Sequence, residues 1–261
     1  MTIDLGSTFA TYNYLSKNLT TSLAQEAADP ANARATAYFE ENIGKITSID
    51  DFVNNYQLFN YAMSAFGLED MAYAKAYMKK VLESDLTDTS SFANKLSDSR
   101  FEAFATAFGG LKDGTAVDST TITTTVNNYL QQSMEDNAGE SDPGVQLALY
   151  FERNASGIKS AYDILADEAL TEVVKTFLGL PDEMANADID AQAKAITERI
   201  DIADLQDPDY VSKVLKQFTV LYDIENNSST DPVLMLFDSS SSGEISDDTL
   251  ASLMSLKYGG A

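Results

Sequence analysis

Most of the side chains that carry enzymatic chemistry are missing from this sequence, which contains no Cys, no His and no Trp. Without an imidazole, neither a Ser–His–Asp nor a Cys–His nucleophile has its proton carrier. Without thiolate or imidazole, the common zinc sites and His- or Cys-held haem are excluded as well. Carboxylates, Lys and Tyr remain. Two acids flanking a glycosidic bond would suffice for hydrolysis, and the candidates are Glu40-Glu41 and Glu152, which recurs at the position of Glu40. Adjacent acids on a helix point about 100° apart and do not face each other, and no Trp is present to stack a sugar. A second candidate is the run from Asp238 to Ile245, which resembles the start of a calcium loop, with oxygen side chains at alternate positions, then Gly243 and Ile245. The position that should close the site with a bidentate Glu is Thr249, so the run reads as a loop in which Ser246 caps the next helix. The expectation is therefore no catalytic residue, no cofactor and no metal.

What is left is contact between apolar faces. Leu5, Phe9, Tyr12, Leu15, Leu19 and Leu23 fall in steps of three and four, one stripe of an amphipathic helix over 8–27. Terminal helices exchange partners readily, so Leu5, Phe9, Tyr12 and Leu19 are the interaction candidates.

The elements that must position these residues read as helices throughout. Asp29-Pro30 is a start signal, with Asp at the cap and Pro in the first turn. Ser48 followed by Asp51 is a variant capping box. Ile49, Phe52, Val53, Tyr56, Phe59, Met63 and Phe66 then repeat at helical spacing up to Gly67, a left-handed stop. Further helices are expected over 73–82, 92–96 and 98–108. The glycines at 109, 110 and 114 mark a linker. Thr120 to Val126 is rich in β-branched residues, but better helix formers come after it, so helix is favoured over strand. Asn137 to Ser141 reads as a polar joint. Helices are also expected over 188–200, 208–222 and 247–256, the last after a Ser-rich loop.

The second half repeats the first. Residues 38–68 align without a gap on 150–180, and ten of the 31 positions are identical: Tyr38/Tyr150, Phe39/Phe151, Glu40/Glu152, Asn42/Asn154, Ile46/Ile158, Ser48/Ser160, Asp51/Asp163, Leu58/Leu170, Gly67/Gly179 and Leu68/Leu180. Asp29-Pro30 corresponds to Asp142-Pro143 after a one-residue shift, and Leu96 to Phe101 loosely to Leu205 to Tyr210. The expected fold is all-α, two related helical units from an internal duplication, with amphipathic helices at both termini. The expected division is an N-terminal helix over 1–28, a first unit over 29–110, a linker with possible helix over 111–141, a second unit over 142–224, and a Ser-rich loop with a C-terminal helix over 225–261.

Charge narrows the partners. With 41 acidic against 17 basic residues the net charge is −24, which opposes binding to nucleic acid phosphates or an anionic bilayer and favours a basic partner. No run of apolar residues is long enough to span a membrane. The first residues lack the basic and apolar regions of a secretory signal peptide.

The segments Tyr38-Phe39-Glu40-Glu41-Asn42-Ile43-Gly44-Lys45-Ile46, Ala65-Phe66-Gly67-Leu68, Ala76-Tyr77-Met78-Lys79-Lys80-Val81-Leu82 and Phe92 to Phe101 together resemble the bacterial family known as domain of unknown function 1217. The resemblance is close in the first unit and looser in the second. Members of that family often lie among flagellar genes of alphaproteobacteria and have no established catalytic residues. Many carry a basic residue near Tyr56 and Gln57, which this chain does not. The resemblance implies a non-enzymatic structural or interaction component of the flagellum, exported without a cleaved signal and contacting flagellar proteins or its own copies. The alternative is a cytoplasmic assembly factor or export chaperone.

Overall fold

The structure is a computed structural model, and residues 3–226 are described. Among them every regular element is a helix. The Ser-rich loop, the calcium-like run and the C-terminal amphipathic helix expected from the sequence lie outside the described residues.

The expected N-terminal helix is two: α1 (Thr8–Lys17) and α2 (Leu19–Ala28). They part at Asn18, whose side-chain amide donates to the Tyr14 carbonyl at 2.8 Å and takes a share of the backbone acceptor that would continue the helix. The next helix, α3 (Pro30–Asn42), is capped by Asp29, which accepts from the N–H groups of Ala31 and Asn32, with Pro30 in the first turn. A 3-10 turn over Ile43–Lys45 leads into α4 (Ile49–Asn54), which Ser48 caps through the Asp51 N–H. The apolar stripe that continues to Phe66 is interrupted at Asn55, which caps α5 (Tyr56–Ala65). Gly67 then takes φ +64°, a conformation that costs a residue with a Cβ about 1 kcal/mol. The unit closes with α6 (Lys75–Leu82) and α7 (Ser99–Phe108), the latter capped by Asp98. Residues 92–96, expected as a short helix, hold a 3-10 turn over Ala93–Lys95.

The glycine-rich segment is no loose linker. Gly109–Asp113 is a 3-10 turn whose Leu111 is buried in the core. The β-branched stretch is helical, part of α8 (Ser119–Gly139), which Asp118 caps through Thr120 and Thr121. Burial overrides the strand propensity, because Ile122, Val126 and Tyr129 fall on one face and pack on the first core. Asn137, expected in a joint, is still within this helix.

After it come α9 (Pro143–Asn154), a 3-10 turn over Ala155–Gly157, α10 (Ala161–Leu165), α11 (Glu168–Leu178), α12 (Ile189–Thr197) and α13 (Pro208–Asn226). The local chemistry of the first unit returns at a spacing of 112 residues, from Ser48 to Ser160 and from Gly67 to Gly179. Asp142 caps α9 ahead of Pro143, Ser160 caps α10 with a complete capping box, Asp167 caps α11, and Gly179 takes φ +59°.

Residues 1–223 form one compact unit around two apolar clusters. The first is centred on Phe39, Phe52, Phe59, Phe104 and Phe108, and the second on Val145, Phe151, Ile164, Val173, Leu215 and Phe218. The helix α1 serves the later cluster, and α8 serves both, with Met134 and Ala138 buried in the second. Tyr12 and Leu15 of α1 belong to the second cluster, while Ile122 and Val126 of α8 pack on the first.

Candidate functional site

The N-terminal stripe is divided by the fold. Leu5 is 51% and Phe9 36% exposed, but Tyr12 is only 5% exposed and Leu19 is half-buried against the second cluster. Reading all four as one free contact face is therefore corrected: Tyr12 and Leu19 already cover their own core. The start of α1 is also pinned. The Thr8 N–H donates to Asp223 Oδ1 at 2.9 Å and the Thr8 hydroxyl to Asp142 Oδ2 at 2.8 Å. Gly144 makes this approach possible, since a Cβ there would lie 2.4 Å from the Tyr222 ring and 2.8 Å from Thr8. In α2, buried Glu26 accepts from Asn32 Nδ2 and Asn137 Nδ2 at 3.2 and 2.8 Å.

The candidate acids do not form a pair. Glu40 and Glu41 are exposed on α3, whereas Glu152 accepts a hydrogen bond from the Ser16 hydroxyl at 2.9 Å. Among the described residues no group of three or more Asp or Glu is placed to hold a metal ion.

Charge is concentrated instead in a buried network joining α7, α8, α9 and the cap of α11. Arg153 donates to Glu135 Oε2 and Gln132 Oε1, both at 2.6 Å, and lies over the Tyr150 ring at 5.4 Å. Tyr150 donates to Asp167 Oδ2 at 2.6 Å, and Arg100 sits 3.9 Å from the same carboxylate. Arg100 is further held by Asp98 and by the Gly67 carbonyl, to which it donates at 2.8 Å. Burial works against the Arg100 cation, but Asp98 and Asp167 keep it firmly protonated. Glu135 is fully buried, and desolvation pushes its carboxyl up to about 7 against the pull of Arg153. Buried Arg153 Nε makes no hydrogen bond. The arrangement ties α7, α8 and α9 to the cap of α11.

The open site is a groove of about 360 Å³ between α3, α5 and α8. Its walls include Tyr38, Gln57, Asn60, Tyr61, Glu69 and Tyr129. The Tyr61 ring is sandwiched, with Tyr129 at 3.9 Å and 19° on one contact and Phe39 at 4.5 Å and 20° on the other. Tyr61 OH and Thr36 Oγ1 are 2.9 Å apart, Tyr129 OH donates to Asn32 Oδ1 at 3.3 Å, and Asn55 Nδ2 donates to Tyr38 OH at 3.2 Å. Burial raises the Tyr61 and Tyr129 phenols, so both stay protonated. Glu69 sits at the surface, yet desolvation raises its carboxyl, Asp136 and Asp70 add to the rise, and Arg100 opposes it. The groove thus presents aromatic rings, side-chain amides and one carboxylate.

Sequence reasoning missed this groove because Tyr129 lies on a helix outside the aligned repeat. A signal was nevertheless present where the two aligned segments differ, at Gln57 against Ala169, Asn60 against Glu172 and Tyr61 against Val173.

The sequence pattern of the family described as Protein of unknown function (DUF1217) matches residues 65–211. This stretch runs from the end of α5 into α13 and takes in the whole buried charge network together with Glu69 and Tyr129, but not Tyr38 or Tyr61. Among solved structures, the crystal structure of protein AGR_C_984 from Agrobacterium tumefaciens is similar, with 42% identity and a TM-score of 0.78, covering 87% of this chain and 97% of that one. No curated protein matches the chain.

Proposed function

This chain belongs to the family described as protein of unknown function DUF1217, and from that premise we propose that it is a non-enzymatic structural or interaction component of the bacterial flagellum. It acts by packing helical surfaces against flagellar proteins or against further copies of itself. The observation that carries the interaction half of this reading is the groove at Tyr38, Tyr61 and Tyr129, an opening shaped by a stacked aromatic wall. The flagellar half rests on the sequence resemblance and on where genes of that family often lie. Leu5 and Phe9, both exposed, form a second, smaller contact at the start of α1. In the same reading the two units descend from one duplicated segment, which accounts for caps and left-handed glycines 112 residues apart. Nucleic acid is no partner, given the charge of −24. Among the described residues no helix is long and apolar enough to cross a membrane.

Mass spectrometry of sheared, purified flagella tests the location. Recovery of the protein in stoichiometric amounts supports an exported component. Recovery in the cytosol alone favours an assembly factor or export chaperone, whose acidic surface would shield a basic client. Deleting residues 1–28 is an unsuitable variant, because it removes Tyr12 and Leu15 from the second core. Leu5→Asp with Phe9→Asp keeps the core and is expected to weaken association while leaving the helical content unchanged.

A further inference from the structure

We infer that the groove between α3, α5 and α8 takes an arginine side chain presented by a basic segment of a protein partner. This rests on reading the groove as a contact surface and is independent of where the protein resides. Three observations converge. First, the lining is aromatic and amide-rich, and among the described residues no Lys or Arg lines it. A planar guanidinium stacks on tyrosine and uses amide oxygens as acceptors, which a compact, strongly hydrated ammonium does less well.

Second, the rim of the groove carries a carboxylate with acidic neighbours. Glu69 is partly desolvated beside Asp70 and Asp136. The cation nearest to it in effect, Arg100, is already committed to Asp98, to the Gly67 carbonyl and to Asp167. The carboxylate already accepts from the Glu69 backbone N–H, and a guanidinium in the groove would add a charge-assisted hydrogen bond to it. Third, the field of the whole chain, at −24, draws a basic segment toward it and repels an acidic one. At about 360 Å³ the groove accommodates a long side chain and part of its backbone, not a folded domain.

The test is an NMR titration of the full chain with a capped Gly-Arg-Gly tripeptide, alongside Gly-Lys-Gly and Gly-Glu-Gly. The arginine peptide is expected to bind with a dissociation constant of roughly 1 mM, as fits a single anchored side chain. It should shift the ring signals of Tyr38, Tyr61 and Tyr129 and lower the carboxyl titration of Glu69. Glu69→Lys and Gln57→Arg, both at exposed positions, should each weaken it about tenfold or more without lowering the melting temperature, and added salt should weaken it further. The inference is overturned if the glutamate peptide shifts the same rings equally, if lysine binds as well as arginine, if the shifts map elsewhere, or if both variants bind like the parent. Binding by a protein absent from flagella would sink the flagellar reading alone. A flagellar protein whose groove ignores arginine would sink this inference alone.

Discussion

The two units use the same turns and fill them with different cores. In the first, Phe39, Phe52, Phe59, Phe104 and Phe108 are fully buried, with Phe52 stacked on Phe108 at 4.9 Å and edge-on to Phe59 at 5.7 Å. In the second, Phe151 and Phe218 are the fully buried rings, and Val145, Ile164, Val173, Val174 and Leu215 supply much of the rest. Even the hydrogen bond from the first helix to the cap of the third is kept in position and changed in kind. Tyr38 accepts from the Asn55 amide, while Tyr150 donates to the Asp167 carboxylate. Where the first unit has exposed Glu41, the second has Arg153 inside a buried charge network. Caps and left-handed glycines satisfy backbone requirements that any core must meet. Core volume and buried charge answer to neighbours and are free to differ.

Four measurements would sharpen or break this comparison. The largest effect is expected from Phe52→Ala, which removes a ring packed on three others and should cost about 3–5 kcal/mol in urea unfolding. Val173→Ala, in the aliphatic core, should cost about 1–2 kcal/mol less, and equal losses would erase the distinction between the cores. Next is Arg153→Met. At pH 8 it strands the buried Glu135 carboxylate and should cost about 3 kcal/mol or more, whereas Glu41→Gln at the matching exposed site should change stability by no more than about 0.5 kcal/mol.

The same pair carries a pH signature. Glu135 holds its proton more tightly in the folded chain, with a carboxyl at about 7. Its contribution to stability is thus fully present below the ordinary carboxylate range and is lost as pH rises through 7. A Glu135→Gln variant should remove this dependence, a difference of up to about 3 kcal/mol between pH 4.5 and 8. Identical pH profiles for parent and variant would contradict the assignment. The smallest effects concern the shared turns. Gly179→Ala, with open space around it, should cost about 1 kcal/mol from backbone strain alone. Gly67→Ala should cost about the same, because Arg100 and Gln132 at 3.6 Å would make only ordinary van der Waals contact with the added methyl. Ser160→Ala should cost about 1 kcal/mol, slightly more than Ser48→Ala, since only Ser160 has the reciprocal box.

Local signals were legible in the sequence where a side chain acts on its own backbone. Asp29-Pro30, Ser48, Ser160, Gly67 and Gly179 all mark helix starts and stops, although Ser48 caps without the reciprocal bond from Asp51 that the expected capping box needs. The β-branched start of α8 was legible only through the better helix formers from Asn127 onward, because its helicity comes from docking Ile122 and Val126 on a distant core. Periodicity could not show the breaks at Asn18 and Asn55, where one amide side chain outcompetes an unbroken apolar stripe. Nor could it show that Tyr12 covers a cluster built from residues more than a hundred positions away. The groove depends on Tyr61 meeting Tyr129, a tertiary contact with no local trace, and the buried charges likewise become visible only once α8 lies between the two units.

The groove is built by α3 and α5 of the first unit together with α8, whereas at the corresponding place in the second unit Val173 stands buried where the first has Tyr61. Site-specific photo-crosslinking in flagellated cells tests the consequence of this difference most directly. One probe replaces Gln57, which lines the groove, and another replaces Glu168, exposed in the first turn of the corresponding helix. The account predicts crosslinks from position 57 to a flagellar protein through an arginine-bearing segment, and none above background from position 168. Equal capture at both positions, or capture at 168 alone, would contradict it.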